Sequence, residues 1–93
     1  MKLEEVFQEI KAICVQNGAS KVVLFGSRAK GTERATSDID IAVCGVKDVD
    51  KLQEEMEDIP TLYTIDIVDL DTCENRLLLE DIERYGRKIY EKI

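Results

Sequence analysis

Apolar residues near the amino terminus fall at Leu3, Val6, Phe7, Ile10, Ile13 and Cys14. Steps of three and one residue put them on one face of an amphipathic helix. The segment NGAS ends that helix, with Gly18 suited to a left-handed C-cap. The period then changes. KVVLFG is a short apolar run, rich in β-branched residues and closed by glycine, which predicts a strand buried on both faces. DIDIAVCG alternates, with Asp38, Asp40, Ala42 and Cys44 on one side and Ile39, Ile41 and Val43 on the other. In VKDVDKLQEEMEDI the residues Val49, Leu52, Met56 and Ile59 return to helical spacing, and Pro60 sets the limit. LYTIDIVDL predicts a third strand. DTCENRLLLEDIERYG opens with Asp71 and Glu74 at capping-box spacing and predicts a helix burying Leu77, Leu78, Ile82 and Tyr85. The tail RKIYEKI is expected as a last edge strand.

This order, α-β-loop-β-α-β-α-β, predicts a small α/β domain with helices packed on a sheet. Only about a dozen residues link the first two strands, so the length leaves their relative direction open. The 93 residues suffice for one domain, residues 1–93, and a core of modest size. No repeat, linker or low-complexity segment interrupts the chain.

Composition narrows the function. The chain is 44% hydrophobic and 35% charged, as in an ordinary globular protein. No apolar run approaches the ~20 residues that span a bilayer, and MKLEEVFQEI carries acids where a signal peptide would be basic. A cytoplasmic location is expected, without membrane contact. Cys14, Cys44 and Cys73 are odd in number and widely spaced, and the chain has no His. That excludes a Cys/His zinc site and a disulfide framework, leaving them as small apolar residues. The net charge of −7 argues against a long nucleic acid, whose backbone needs a broad basic face. Local basic groups remain: Arg28, Lys30 and Arg34 lie within seven residues.

Chemistry concentrates between Phe25 and Val43, in FGSRAKGTERATSDIDIAV. Period two puts Asp38 and Asp40 on one face of a strand, about 7 Å apart. Like charges that close, beside apolar neighbours, need compensation, and Mg²⁺ supplies it through oxygen ligands. A pair of solvated acids at a strand mouth is the alternative that the pair alone leaves open. Asp66 adds to the case, because a mid-strand acid between Ile65 and Ile67 is unusual unless paired or metal-bound. If its strand neighbours the other, three carboxylates can form a two-metal site. Asp69, at the strand's exit, belongs to the following turn.

FGSRAKGT is a near miss for a P-loop, since no Lys-Ser/Thr pair follows Gly31. What remains is a tight turn whose Gly26 and Ser27 amides, with the Ser27 hydroxyl, can face an anion. A plain strand-to-helix turn capped by Ser27 is the alternative.

Gly26-Ser27, ten residues, Asp38-Ile39-Asp40 and the later Asp66 together resemble the nucleotidyltransferase superfamily, the fold of DNA polymerase β. GSRAKG…SDIDIAV is most similar to the minimal, MNT-type members, including the MntA-like antitoxins. The resemblance covers essentially the whole chain. It implies a mixed sheet, with Asp38 and Asp40 as Mg²⁺ ligands and Asp66 as third carboxylate, metal ligand and base. It implies two Mg²⁺ ions and ATP, with Gly26 and Ser27 holding phosphate, aided by Arg28 and Lys30. Larger members carry a second domain for the acceptor. Members of this size pair with an all-helical HEPN protein, and MntA-like ones transfer AMP to it. The expected activity is therefore transfer of AMP from ATP to a partner protein's hydroxyl. A non-catalytic module neutralising its partner by occlusion, and transfer to a small molecule such as an aminoglycoside, are the other readings. Homo- and hetero-oligomers are both left open.

Overall fold

A computed structural model describes all of residues 1–93. Its elements run α1 (Leu3–Gln16), β1 (Lys21–Phe25), α2 (Ser27–Lys30), β2 (Ile39–Cys44), α3 (Val49–Glu57), β3 (Ile65–Asp69), α4 (Arg76–Tyr85) and β4 (Arg87–Glu91). The four strands form one sheet in the order β3-β2-β1-β4. β1 is antiparallel to both β2 and β4, and β2 is parallel to β3 through the α3 crossover. The sheet is mixed, as expected, and the short β1–β2 link makes an antiparallel pair with one helical turn inside it. No helix is long and apolar enough to cross a membrane.

Alternation sorts the strand residues onto two faces. One face carries Val22, Ile39, Ile41, Val43 and Ile65, and packs against Val6, Ile10 and Cys14 of α1 and Leu52 and Met56 of α3. Each of these large apolar side chains contributes about 1.5–3 kcal/mol on burial. Leu52→Ala would cost about 2–5 kcal/mol, since Leu52 is fully enclosed. The Cys14 thiol lies in this core, and burial pushes its pKa up to about 12, so it behaves as an apolar side chain. The opposite face is thinner. There Val23, Phe25 and Ala42 are covered by Ile82 of α4, with Val68, Leu70 and Leu78 alongside.

The last helix departs from expectation. It begins at Arg76, capped by Asn75, whose Oδ1 accepts from the Leu78 amide at 3.2 Å. Asp71 forms no capping box; its Oδ2 accepts from the Gly45 amide at 2.7 Å. Ile82 is buried as expected, while Leu77, five residues earlier and so about 140° round the helix axis, stays exposed, as does Tyr85. β4 follows at once as an edge strand, with a register shift opposite Val22 and Val23. The other edge, β3, is closed by a side chain: Gln53 Nε2 donates to the Ile65 carbonyl at 2.8 Å, and Oε1 accepts from the Ile67 amide at 3.1 Å. That amide imitates the next strand.

Candidate active site

β1 ends at Phe25, and the chain turns sharply into α2. Gly26 makes the turn at φ 75° and ψ −157°, a conformation that only glycine adopts without strain. It has a second reason to lack a side chain: a Cβ there would run into the Asp40 carboxylate. The turn and the acid are thus packed directly together. The Gly26 carbonyl accepts from the Ala29 and Lys30 amides at 3.1 and 3.2 Å. Gly26, not Ser27, is the N-cap. Ser27 is the first helical residue, and α2 has no side-chain cap bond.

The acids converge on two neighbouring strands, beside the end of a third. Phe25 of β1 registers with Asp40 of β2, and Asp40 with Asp66 of β3. Neighbouring strands lie about 4.8 Å apart, and residues in register point to the same face. Asp38 sits just before β2, where the Ile39 amide donates to the Thr64 carbonyl at 2.8 Å. Asp40 is half-buried, and its pKa is raised, chiefly by burial and then by the charges of Asp66 and Asp38. Asp66, read from the sequence as an enclosed mid-strand acid, is instead exposed, because β3 is an edge strand and Asp66 is near its start. It borders a cavity of about 420 Å³ shared with Gln53, Glu57, Leu62 and Tyr63.

No three carboxylates close around a point to hold a metal ion unaided. Their chemistry fits a hard cation even so. Mg²⁺ usually takes one or two carboxylates and completes its shell with water and phosphate oxygens. The half-buried Asp40, pressed by two like charges, is a group that a cation would relieve.

The basic residues have partners within the chain. Arg28, buried at 8% exposure, donates from Nε and Nη2 to the Ser37 carbonyl at 3.2 and 2.7 Å. Its guanidinium also lies 4.9 Å from the centre of the Tyr63 ring. Lys30 pairs with Asp81 of α4 at 2.9 Å and lies 5.3 Å from the Tyr85 ring. Arg34 contributes its backbone amide, which donates to Ser37 Oγ at 2.7 Å.

Residues 8–93 match the family model for polymerase beta nucleotidyltransferases. The chain belongs to that family. Its fold is similar to a toxin–antitoxin structure solved with AMP-PNP, at a TM-score of 0.70 and 24% identity over 92% of this chain and 73% of that one. An MntA–HpeT toxin–antitoxin structure with a Tyr-to-Ala substitution gives 0.69 at 24% identity, over 98% and 75%. A protein described as a minimal nucleotidyltransferase gives 0.69 at 29% identity, over 94% and 95%. No curated protein matches significantly in sequence.

In this nucleotidyltransferase the Gly-Ser turn and the Asp-x-Asp pair meet because β1 and β2 are adjacent and antiparallel. Three neighbours of the site carried no signal in the sequence. Ser37 contributes a backbone carbonyl, which any residue could supply. Tyr63 precedes its strand in an irregular segment, and Asp81 lies on α4, far away in the chain. Only the fold brings them to the cations.

Proposed function

We propose that this nucleotidyltransferase moves AMP from ATP to a hydroxyl of a partner protein, with two Mg²⁺ ions and in the manner of an antitoxin. The observation that carries the reading is the row of partner-less carboxylates, Asp40 beside Asp66 with Asp38 at the mouth, packed against the Gly26-Ser27 turn.

In this reading Asp38 and Asp40 hold the metal, with Asp66 as third ligand. Bound there, Mg²⁺ neutralises charge on the α-phosphate and the departing pyrophosphate. Gly26 and Ser27, with amides and hydroxyl, hold the terminal phosphates. Asp66, exposed beside its cavity, orients the acceptor hydroxyl and takes its proton. The acceptor oxygen bonds to the α-phosphorus, the bond to the β-phosphate oxygen breaks, and pyrophosphate leaves. Lys30 can aid the phosphates only by leaving Asp81, an exchange open to an exposed pair worth little.

The named neighbours lend support for the partner: one was solved with AMP-PNP, and others are toxin–antitoxin assemblies. An all-helical HEPN-type toxin is the acceptor proposed, in the cytoplasm. The net charge of −7 suits a basic partner. The test is incubation with Mg²⁺, the candidate toxin and ATP labelled on the α- or the γ-phosphate. Label from the α-phosphate on the toxin is expected. Label from the γ-phosphate makes the protein a kinase and ends the proposal.

A further inference from the structure

Arg28 is the one charged side chain buried in this protein, and it forms no salt bridge. A buried guanidinium without a carboxylate is costly unless its N–H groups are used. Here they are used on the backbone. Nε and Nη2 grip one acceptor, the Ser37 carbonyl, while the guanidinium carbon lies over the Tyr63 ring. The position of these partners gives the arrangement its meaning. Arg28 follows Gly26-Ser27 in the chain, Ser37 precedes Asp38, and Tyr63 stands three residues before Asp66. One side chain therefore fastens together the three segments that carry the phosphate turn, the Asp-x-Asp pair and the third acid.

The geometry points to Arg28 as a positioning residue, which sets Asp38 and Asp66 relative to the turn and thereby tunes metal affinity, and not as a ligand of phosphate. The inference rests on the reading of the three acids as the metal site. The role needs arginine. A lysine keeps the charge, but it lacks the planar fork that reaches one carbonyl twice and the flat face that stacks on a ring.

The experiment is Mn²⁺ binding, followed by electron paramagnetic resonance, to the full chain with AMP-PNP present. Nucleotide affinity without metal and far-ultraviolet circular dichroism are measured beside it. Arg28→Lys and Arg28→Gln are both expected to weaken Mn²⁺ about tenfold or more, alike despite their different charge. Binding of AMP-PNP without metal should stay within about twofold. Tyr63→Leu keeps the Ser37 bonds and removes only the stacked ring, so it covers the case in which Arg28 variants fail to fold. It should weaken Mn²⁺ severalfold with an unchanged dichroism spectrum. Arg34→Ala, a change to an exposed neighbouring cation, should leave Mn²⁺ binding as it is. If Arg28→Lys binds as wild type while Arg28→Gln loses AMP-PNP, the residue is a phosphate ligand and the inference is overturned. Unchanged Mn²⁺ affinity in Tyr63→Leu also overturns it. Wild type that binds no Mn²⁺ overturns the metal reading itself, and this inference with it.

Discussion

At the carboxyl end of the parallel β2–β3 pair, Asp69 accepts from the Asp71 amide at 3.0 Å and the Thr72 hydroxyl at 3.2 Å. Beside it Asp71 accepts from the Gly45 amide at 2.7 Å. At the amino end of the same two strands stand Asp38, Asp40 and Asp66, to which the chain offers no donor and no paired cation. Lys30 and Arg28, near in sequence, are occupied elsewhere. The two ends are built from the same residue type, so donor supply makes the difference. An acid whose oxygens receive backbone N–H groups is part of a turn. A half-buried acid pressed by two others, with no donor, is compensated only from outside the chain.

The largest effect should separate the two ends completely. Asp38→Asn or Asp40→Asn is expected to lower transfer of α-phosphate label by about a thousandfold or more, the several kcal/mol that metal stabilisation supplies. Asp71→Asn should cost about 1 kcal/mol of stability by weakening its bond from the Gly45 amide and leave transfer within a few fold. If Asp71→Asn silences transfer as thoroughly as Asp40→Asn, the contrast between the ends is false.

The next effect compares two glycines of positive φ at the two ends of α2. Gly26 and Gly31 have φ of 75° and 76°, but a Cβ at Gly31 meets nothing within 4 Å, while one at Gly26 meets Asp40. Gly31→Ala should therefore show backbone strain alone, about 1–2 kcal/mol in chemical denaturation, with AMP-PNP binding retained. Gly26→Ala should be strained further, since its ψ of −157° lies outside the left-handed region that Gly31 occupies at 18°, and should also displace Asp40, so that Mg²⁺-dependent AMP-PNP binding is lost. Equal binding by the two variants would detach the turn from the acid.

Ser27→Ala should be milder. If its hydroxyl meets a charged phosphate oxygen, calorimetry should show nucleotide binding weakened by about 1–3 kcal/mol. Because Gly26 is the N-cap, the melting temperature should barely move. A lower melting temperature with unchanged affinity would return Ser27 to a purely structural role.

Much of this arrangement could be read from the chain, where a local rule governed. Period-two alternation assigned Ile39, Ile41 and Val43 to the core and Asp40 to the other face, as found. The Gly-Ser and Asp-x-Asp signals identified the family, since their spacing reflects the β1–β2 link. Local rules failed where a distant group competed. Asp71 had the spacing of a capping box, but the Gly45 amide, brought near by the β2–β3 pairing, takes it instead. Leu77 was expected in the core with Ile82, yet five residues of helix set it about 140° from Ile82 and leave it exposed. For Arg28, which the sequence places beside Gly26-Ser27 as an expected aid in holding phosphate, no local rule indicates what its side chain meets within the chain. Its partners in space, Ser37 and Tyr63, are a loop and a strand away.

The smallest effect is in the pH dependence of the free protein, and it probes the unpartnered end alone. Burial, Asp66 and Asp38 raise the Asp40 pKa above its ordinary 3.8. Between the ordinary value and the raised one, the folded chain holds a proton that the unfolded chain has released. Stability therefore falls as pH rises through that window and levels off above the folded pKa. Below 3.8 both states are protonated at Asp40, and its contribution to the slope vanishes. Asp40→Asn cannot titrate, so this loss should be absent from its curve. At neutral pH the variant should be as stable as wild type or more so, because a repulsive, partly desolvated charge is gone. Mg²⁺ with a non-hydrolysable ATP analogue should act oppositely. It binds the folded chain, adding about 2.7 kcal/mol at a hundred times Kd, and needs Asp40 ionised. The rise in Tm should thus appear in wild type above the window, shrink below it, persist in Asp69→Asn and vanish in Asp40→Asn. Thermal unfolding across the acid range, with and without Mg²⁺ and analogue, measures all four. An Asp40→Asn chain that is less stable than wild type at neutral pH, or that keeps the full Mg²⁺ response, would make Asp40 a structural acid like Asp69.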